Sequence, residues 1–136
     1  MRYLICLLLL AVSVACGGGS NPASPSSSQP YNQTMTGTVS NFGTTVHPVQ
    51  IPRSGNMTLT LTWQDAAIDL DLYLAPSSCA NLYPRINCSI LAASNNGSGT
   101  SETIARTVSL GETFNLFVDN LHLTRSSTYT LTVRIQ

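Results

Sequence analysis

Apolar and polar residues alternate along most of the chain beyond residue 33, and a two-residue period predicts strands with one buried face. Met57, Leu59, Leu61 and Trp63 alternate with Thr58, Thr60 and Thr62, and Ile68, Leu70, Leu72 and Leu74 with Asp69, Asp71 and Tyr73. Phe114, Leu116 and Val118 alternate with Thr113, Asn115, Phe117 and Asp119, and Tyr129, Leu131, Val133 and Ile135 with Thr128, Thr130, Thr132 and Arg134. Fainter alternation predicts strands near 34–40, 45–51, 89–93 and 102–108. Turn signals separate them at Pro52-Arg53-Ser54-Gly55, Asn95-Asn96-Gly97-Ser98-Gly99 and Gly111-Glu112. No window carries a helical stripe. About eight strands joined by short loops predict an all-β fold, an antiparallel β-sandwich of jelly-roll type over residues 34–136.

The first residues follow a different rule. Met1-Arg2-Tyr3 precedes a continuous apolar run over 4–11, and small residues lead to Cys16. One positive charge, a short apolar core and small residues describe an export signal over 1–15, its apolar run marginal in length for a permanent helical span. Ala15-Cys16 resembles the end of a bacterial lipobox, in which the cysteine becomes the N-terminus and carries acyl chains; Ser13 stands where leucine is usual, and ordinary signal-peptidase cleavage is the alternative. Residues 16–33, rich in Gly, Ser and Pro, read as a disordered tether. Acyl chains on Cys16 would make the membrane a partner. Gly17 directly after the cysteine points to the outer membrane.

Composition narrows the function. The 136 residues carry six basic and six acidic side chains, only 9% charged in all, which argues against nucleic acid and against a polybasic membrane patch. With 17 serines and 16 threonines the chain favours strands. Of four cysteines, Cys6 leaves with the signal and Cys16 would be lipidated. Cys79 and Cys88, an isolated pair in an exported chain, predict a disulfide closing a local loop, worth roughly 2.5 kcal/mol in the chain-entropy picture.

Trp63, the run Asp69-Leu70-Asp71-Leu72-Tyr73-Leu74, then Ser101-Glu102-Thr103-Ile104, Gly111-Glu112-Thr113-Phe114-Asn115-Leu116-Phe117-Val118 and Thr128-Tyr129-Thr130-Leu131-Thr132-Val133 resemble, in order and spacing, the bacterial pre-peptidase C-terminal domain. The resemblance covers roughly 34–136 and implies a jelly-roll β-sandwich attached to secreted peptidases and other exported enzymes, not itself catalytic. Some relatives in clostridial collagenases bind collagen and calcium. The pair Cys79 and Cys88 falls in the loop after the Asp-Leu-Asp strand, outside that pattern.

Two groups of residues carry candidate chemistry. Asp69 and Asp71, two apart on one strand, project from one face, where a calcium ion could take them with Asp65 or Glu102. The alternative is a solvated outer face whose charges keep the strand from unwanted pairing. Tyr73 and Phe117, on outward positions beside Asn115, form a candidate ligand face for a sugar ring or a protein. His47 and His122 lack a recognisable nucleophile context and read as surface or loop residues, so the chain reads as no enzyme. The function these residues predict is a non-catalytic cell-envelope lipoprotein that binds extracellular protein or polysaccharide. The alternative is a calcium-stabilised accessory domain assisting a separately encoded secreted peptidase.

Overall fold

A computed structural model of the chain describes residues 29–83 and 88–136. The export signal, Cys16 and most of the tether lie outside the described residues. Eight strands follow in order: β1 (Tyr31–Val39), β2 (Gly43–Gln50), β3 (Gly55–Trp63), β4 (Leu70–Pro76), β5 (Ala92–Ser94), β6 (Ser101–Val108), β7 (Thr113–Asn120) and β8 (Ser127–Ile135). β1 starts at Tyr31, ahead of the expected start at residue 34, because Tyr31, Asn32 and Gln33 pair with Ile135, Arg134 and Val133.

All pairings are antiparallel, in two four-stranded sheets ordered β1-β8-β3-β6 and β2-β7-β4-β5. This order, in which the chain shuttles from sheet to sheet and each strand adds outside or between earlier ones, is the jelly roll that the alternation and loop lengths predict.

The inner faces meet in one core. Met57, Leu59 and Leu61 from β3, Leu131, Val133 and Ile135 from β8, Leu70, Leu72 and Leu74 from β4, and Leu116 and Val118 from β7 are all buried there. Each such side chain contributes about 1.5–3 kcal/mol on removal from water. Trp63 closes one end, its Nε1 donating to Ile68 O at 2.7 Å and so tying down the β3–β4 connection. The outer face of the first sheet is almost free of charge. Rows Thr36–Thr130–Thr62–Ser101 and Thr34–Thr132–Thr60–Thr103 run across its four strands.

Two of the four sheet edges are protected. Pro48, which has no N–H to offer, sits on edge strand β2. On edge strand β6, Glu102 and Arg106 share the inward face with Ile104, and inward charge discourages pairing with another chain.

Candidate functional site

The outer face of the second sheet is built by register. Asp71 of β4 lies opposite Asp119 of β7, which lies opposite Thr44 of β2; Tyr73, Phe117 and Val46 form the next row; Ala75, Asn115 and Pro48 the third. The expected outward projection of Asp71, Tyr73, Phe117 and Asn115 therefore holds, but their exposure does not. Asp71 and Tyr73 are each 5% exposed and Phe117 1%, and Asn115 is buried with them.

The cause is the β4–β5 connection, whose described residues fold back across this face as a roof. Cys79 and Leu82 pack with Tyr73, Ala75 and Phe117 in a second apolar cluster, joined by Cys88 and Ile90. Cys79 and Cys88 form the predicted disulfide, with Cα atoms 4.9 Å apart. Asn115 Nδ2 donates to Cys79 O at 2.7 Å and Ser77 O at 3.3 Å, pinning the roof to β7. Asn115 is thus a structural anchor for the loop, and the expected ligand face of Tyr73, Phe117 and Asn115 is covered. Strand alternation shows which side chains project outward; it carries no information about a loop that later covers them.

The carboxylates sit in a hydroxyl-rich setting. Tyr73 Oη donates to Asp71 Oδ2 at 2.8 Å, Thr44 Oγ1 to Asp119 Oδ1 at 2.6 Å and Tyr83 Oη to Asp119 Oδ2 at 3.1 Å. Burial pushes the Asp71 carboxyl above its ordinary range; the Tyr73 hydrogen bond opposes this, while the carboxylates of Asp69, Asp119 and Glu102 add to it. Asp69, in the run into β4, is raised by burial and by Glu102, and its Oδ1 is buried without a hydrogen-bond partner. Burial and Asp71 hold the Tyr73 phenol far above its usual value.

The expected calcium set does not assemble from these residues. Asp65 pairs with Arg125 and accepts from Ala67 N at 3.0 Å. Glu102 is spent across the sheet edge, accepting from Ser94 Oγ and, at 2.9 Å each, from Asn96 N and Asn96 Nδ2. Among the described residues no three His, Cys, Asp or Glu side chains converge in a group able to hold a metal ion. Glu102 adds to the raised pKa of both Asp69 and Asp71, and Asp69 to that of Asp71, but Asp65 points elsewhere and the oxygens of Glu102 already have donors.

Sequence reasoning missed the most exposed apolar feature. At one end of the sandwich, Phe42 in the β1–β2 turn is 70% exposed, and Leu121 and Leu123 in the β7–β8 loop are 50% and 72% exposed. Phe42 has φ 48°, a left-handed conformation that costs a bulky residue energy. Its N–H donates to His122 O at 2.9 Å, and Asn41 Nδ2 to Leu123 O at 3.0 Å. The fully buried Asn120 binds both segments, its Nδ2 donating to Ser40 O and Arg125 O and its Oδ1 accepting from His122 N. Beneath this end lies a pocket of about 470 Å³ lined by Phe42, Thr44, Tyr83, Asp119 and Leu121. Phe42 in a two-strand turn and two leucines flanking His122 in a loop were the available signals, since apolar side chains at turn positions gain nothing from the core.

His47 Nε2 lies 2.7 Å from Tyr129 Oη, and His122 Nδ1 accepts from Thr124 N at 3.3 Å.

Fold and site together define a jelly-roll β-sandwich with a disulfide-clamped roof over one sheet and an apolar end beside a buried carboxylate. Solved structures with this fold include the Yersinia pseudotuberculosis-derived mitogen, at TM-score 0.56 and 16% identity over 79% of this chain and 88% of that one. The pre-peptidase C-terminal domain of collagenase from Bacillus anthracis matches at TM-score 0.56 and 17% identity, over 75% of this chain and 88% of that one. PliG of Aeromonas hydrophila, a periplasmic inhibitor of g-type lysozyme, matches at TM-score 0.50 and 8% identity over 77% and 86%. No family model matches the chain, and no curated protein matches it. The resemblance to the pre-peptidase C-terminal domain thus holds at the level of the fold.

Proposed function

We propose that the chain is a non-catalytic binding module, exported and held on the bacterial outer membrane by acyl chains on Cys16, with an extracellular protein or polysaccharide as ligand. The observation that carries this reading is the end of the sandwich where Phe42, Leu121 and Leu123 stand in solvent, the first two lining a pocket, although hydrogen bonds from Asn41 and Asn120 fix the segments that bear them. A clustered apolar surface of this kind costs solubility and marks interaction sites. The Cys79–Cys88 disulfide supports an oxidising compartment. The pairing of His47 with Tyr129 supports a scaffold role for that histidine.

The test is retention of the full chain on an array of immobilised matrix proteins and polysaccharides. Selective retention is expected, with loss in Leu123→Asp at unchanged melting temperature, because Leu123 is exposed. Retention indifferent to Leu123→Asp and to Phe42→Ser, or no retention at all, defeats the reading.

The collagenase-borne neighbour favours a second reading, an accessory domain for a separately encoded secreted peptidase. A peptidase gene beside this one, and co-purification of its product with the full chain, would favour that over the first reading.

A further inference from the structure

The pocket at the apolar end combines two properties that a purely apolar partner would not use together. Its rim is hydrocarbon and aromatic, from Phe42, Leu121 and the half-exposed Tyr83. Its wall includes Asp119, only 2% exposed, which lies directly opposite Asp71 on the neighbouring strand, so two buried carboxylates stand side by side. Among the described residues, the donors that meet them, Thr44, Tyr83 and Tyr73, are hydroxyls that bring hydrogen bonds and no positive charge. Among the described residues no arginine lines the pocket, and the chain contains no lysine.

We propose, building on the binding-module reading, that this pocket takes a single arginine or lysine side chain presented by a partner protein. Such a side chain matches both properties. Its methylene stem packs along Phe42 and Leu121 while its charged head reaches Asp119, the division that long basic side chains make at any boundary between oil and charge. The head gains a charge-assisted hydrogen bond to a carboxylate, stronger than the hydroxyl contacts already there, and lies within reach of the rings of Phe42 and Tyr83 for cation–π attraction. A neutral polysaccharide offers no cation to Asp119. An acidic partner is repelled by that carboxylate.

The probes are three peptides, Ac-Leu-Arg-Leu-NH2 and its norleucine and glutamate counterparts, titrated against the full chain in zwitterionic nanodiscs and followed by the amide shifts of Thr44 and Asp119. The arginine peptide is expected to bind about tenfold more tightly than the norleucine one, with the margin shrinking as salt rises from about 0.05 to 0.5 M. The glutamate peptide should bind worst. In Asp119→Asn the margin should fall to near unity. Because that residue is buried, Thr44→Val provides the second variant: it removes a competing hydroxyl and leaves the carboxylate, so the preference for arginine should persist or grow, and its loss would overturn the proposal. Equal binding of the arginine and norleucine peptides overturns the cationic ligand and leaves an apolar binding site standing. If no peptide moves either amide, the pocket is no binding site and both readings of it fall.

Discussion

His47 and Tyr129 join the two sheets across the open side of the sandwich. His47 is on β2 of the second sheet and Tyr129 on β8 of the first, with Nε2 and Oη 2.7 Å apart and the rings edge to face at 5.8 Å. Gly37 makes room for this link, since a Cβ there would lie 2.5 Å from Tyr129 Oη. Burial lowers the pKa of His47 below its ordinary 6.5 and raises that of Tyr129.

A pH dependence follows from that histidine. Its folded-state pKa lies below the unfolded value, so the unfolded chain binds the proton first as pH falls. The stability contributed by neutral His47 is complete above pH 6.5 and is lost between there and the lowered folded value. Melting temperature should therefore fall from pH 7 to pH 5, and His47→Gln should flatten that slope. An unchanged slope in the variant would assign the pH dependence to other groups.

The disulfide is expected to stabilise the roof more than the core. Cys79→Ser with Cys88→Ser should cost about 2.5 kcal/mol by loop-closure entropy. Because Leu82 and Phe117 belong to a cluster separate from the main core, hydrogen exchange should accelerate at those amides while Leu59 and Leu131 stay protected. Unreduced peptide mapping should show Cys79 joined to Cys88; uniform loss of protection across both clusters would mean that the roof and the core unfold together.

Asp69 should destabilise the folded state at neutral pH. Its pKa is raised above the ordinary 3.8, so ionisation disfavours folding, fully so above the folded-state pKa and not at all well below 3.8. Asp69→Asn should raise the melting temperature by a few degrees at pH 7 and leave it unchanged at pH 3. Since Asp65 and Glu102 are engaged elsewhere, melts in EDTA and in millimolar calcium should coincide. A calcium site occupied at a hundredfold over Kd would instead add about 2.7 kcal/mol.

The anchor is tested by phase partitioning. Full-length protein should enter the detergent phase and Cys16→Ser should not. Wild-type protein that stays aqueous, with a mature N-terminus other than Cys16, would remove the lipid from the proposal.

Period-two alternation carried the fold almost entirely. Leu59 and Thr60, or Leu131 and Thr132, report strand and facing at once, and short loops between eight such segments leave few topologies other than the jelly roll. Alternation was blind to what happens outside the sheet. Tyr73 and Phe117 project outward as their positions predict, yet a loop held by Asn115 and Cys79 buries them. Glu102 reads as a polar residue in a polar strand but points inward at an edge, where Ser94 and Asn96 satisfy it. Asn120, which organises the apolar end, looks from sequence like any strand-terminating asparagine, because its partners Ser40 and Arg125 come together only in the fold.

The threonine rows of the first sheet have a consequence for how the protein stays dispersed. With formal charge balanced at neutral pH, mutual repulsion between copies is weak, and the usual electrostatic defence against clumping is missing. A broad field of hydroxyls on stiff, β-branched side chains holds water by hydrogen bonding instead. Dispersion of this kind is insensitive to screening by ordinary salt, yet it yields to solutes such as sulfate that withdraw from protein surfaces and favour burial. To neighbouring copies, that face offers little charge to read and no greasy surface to grip.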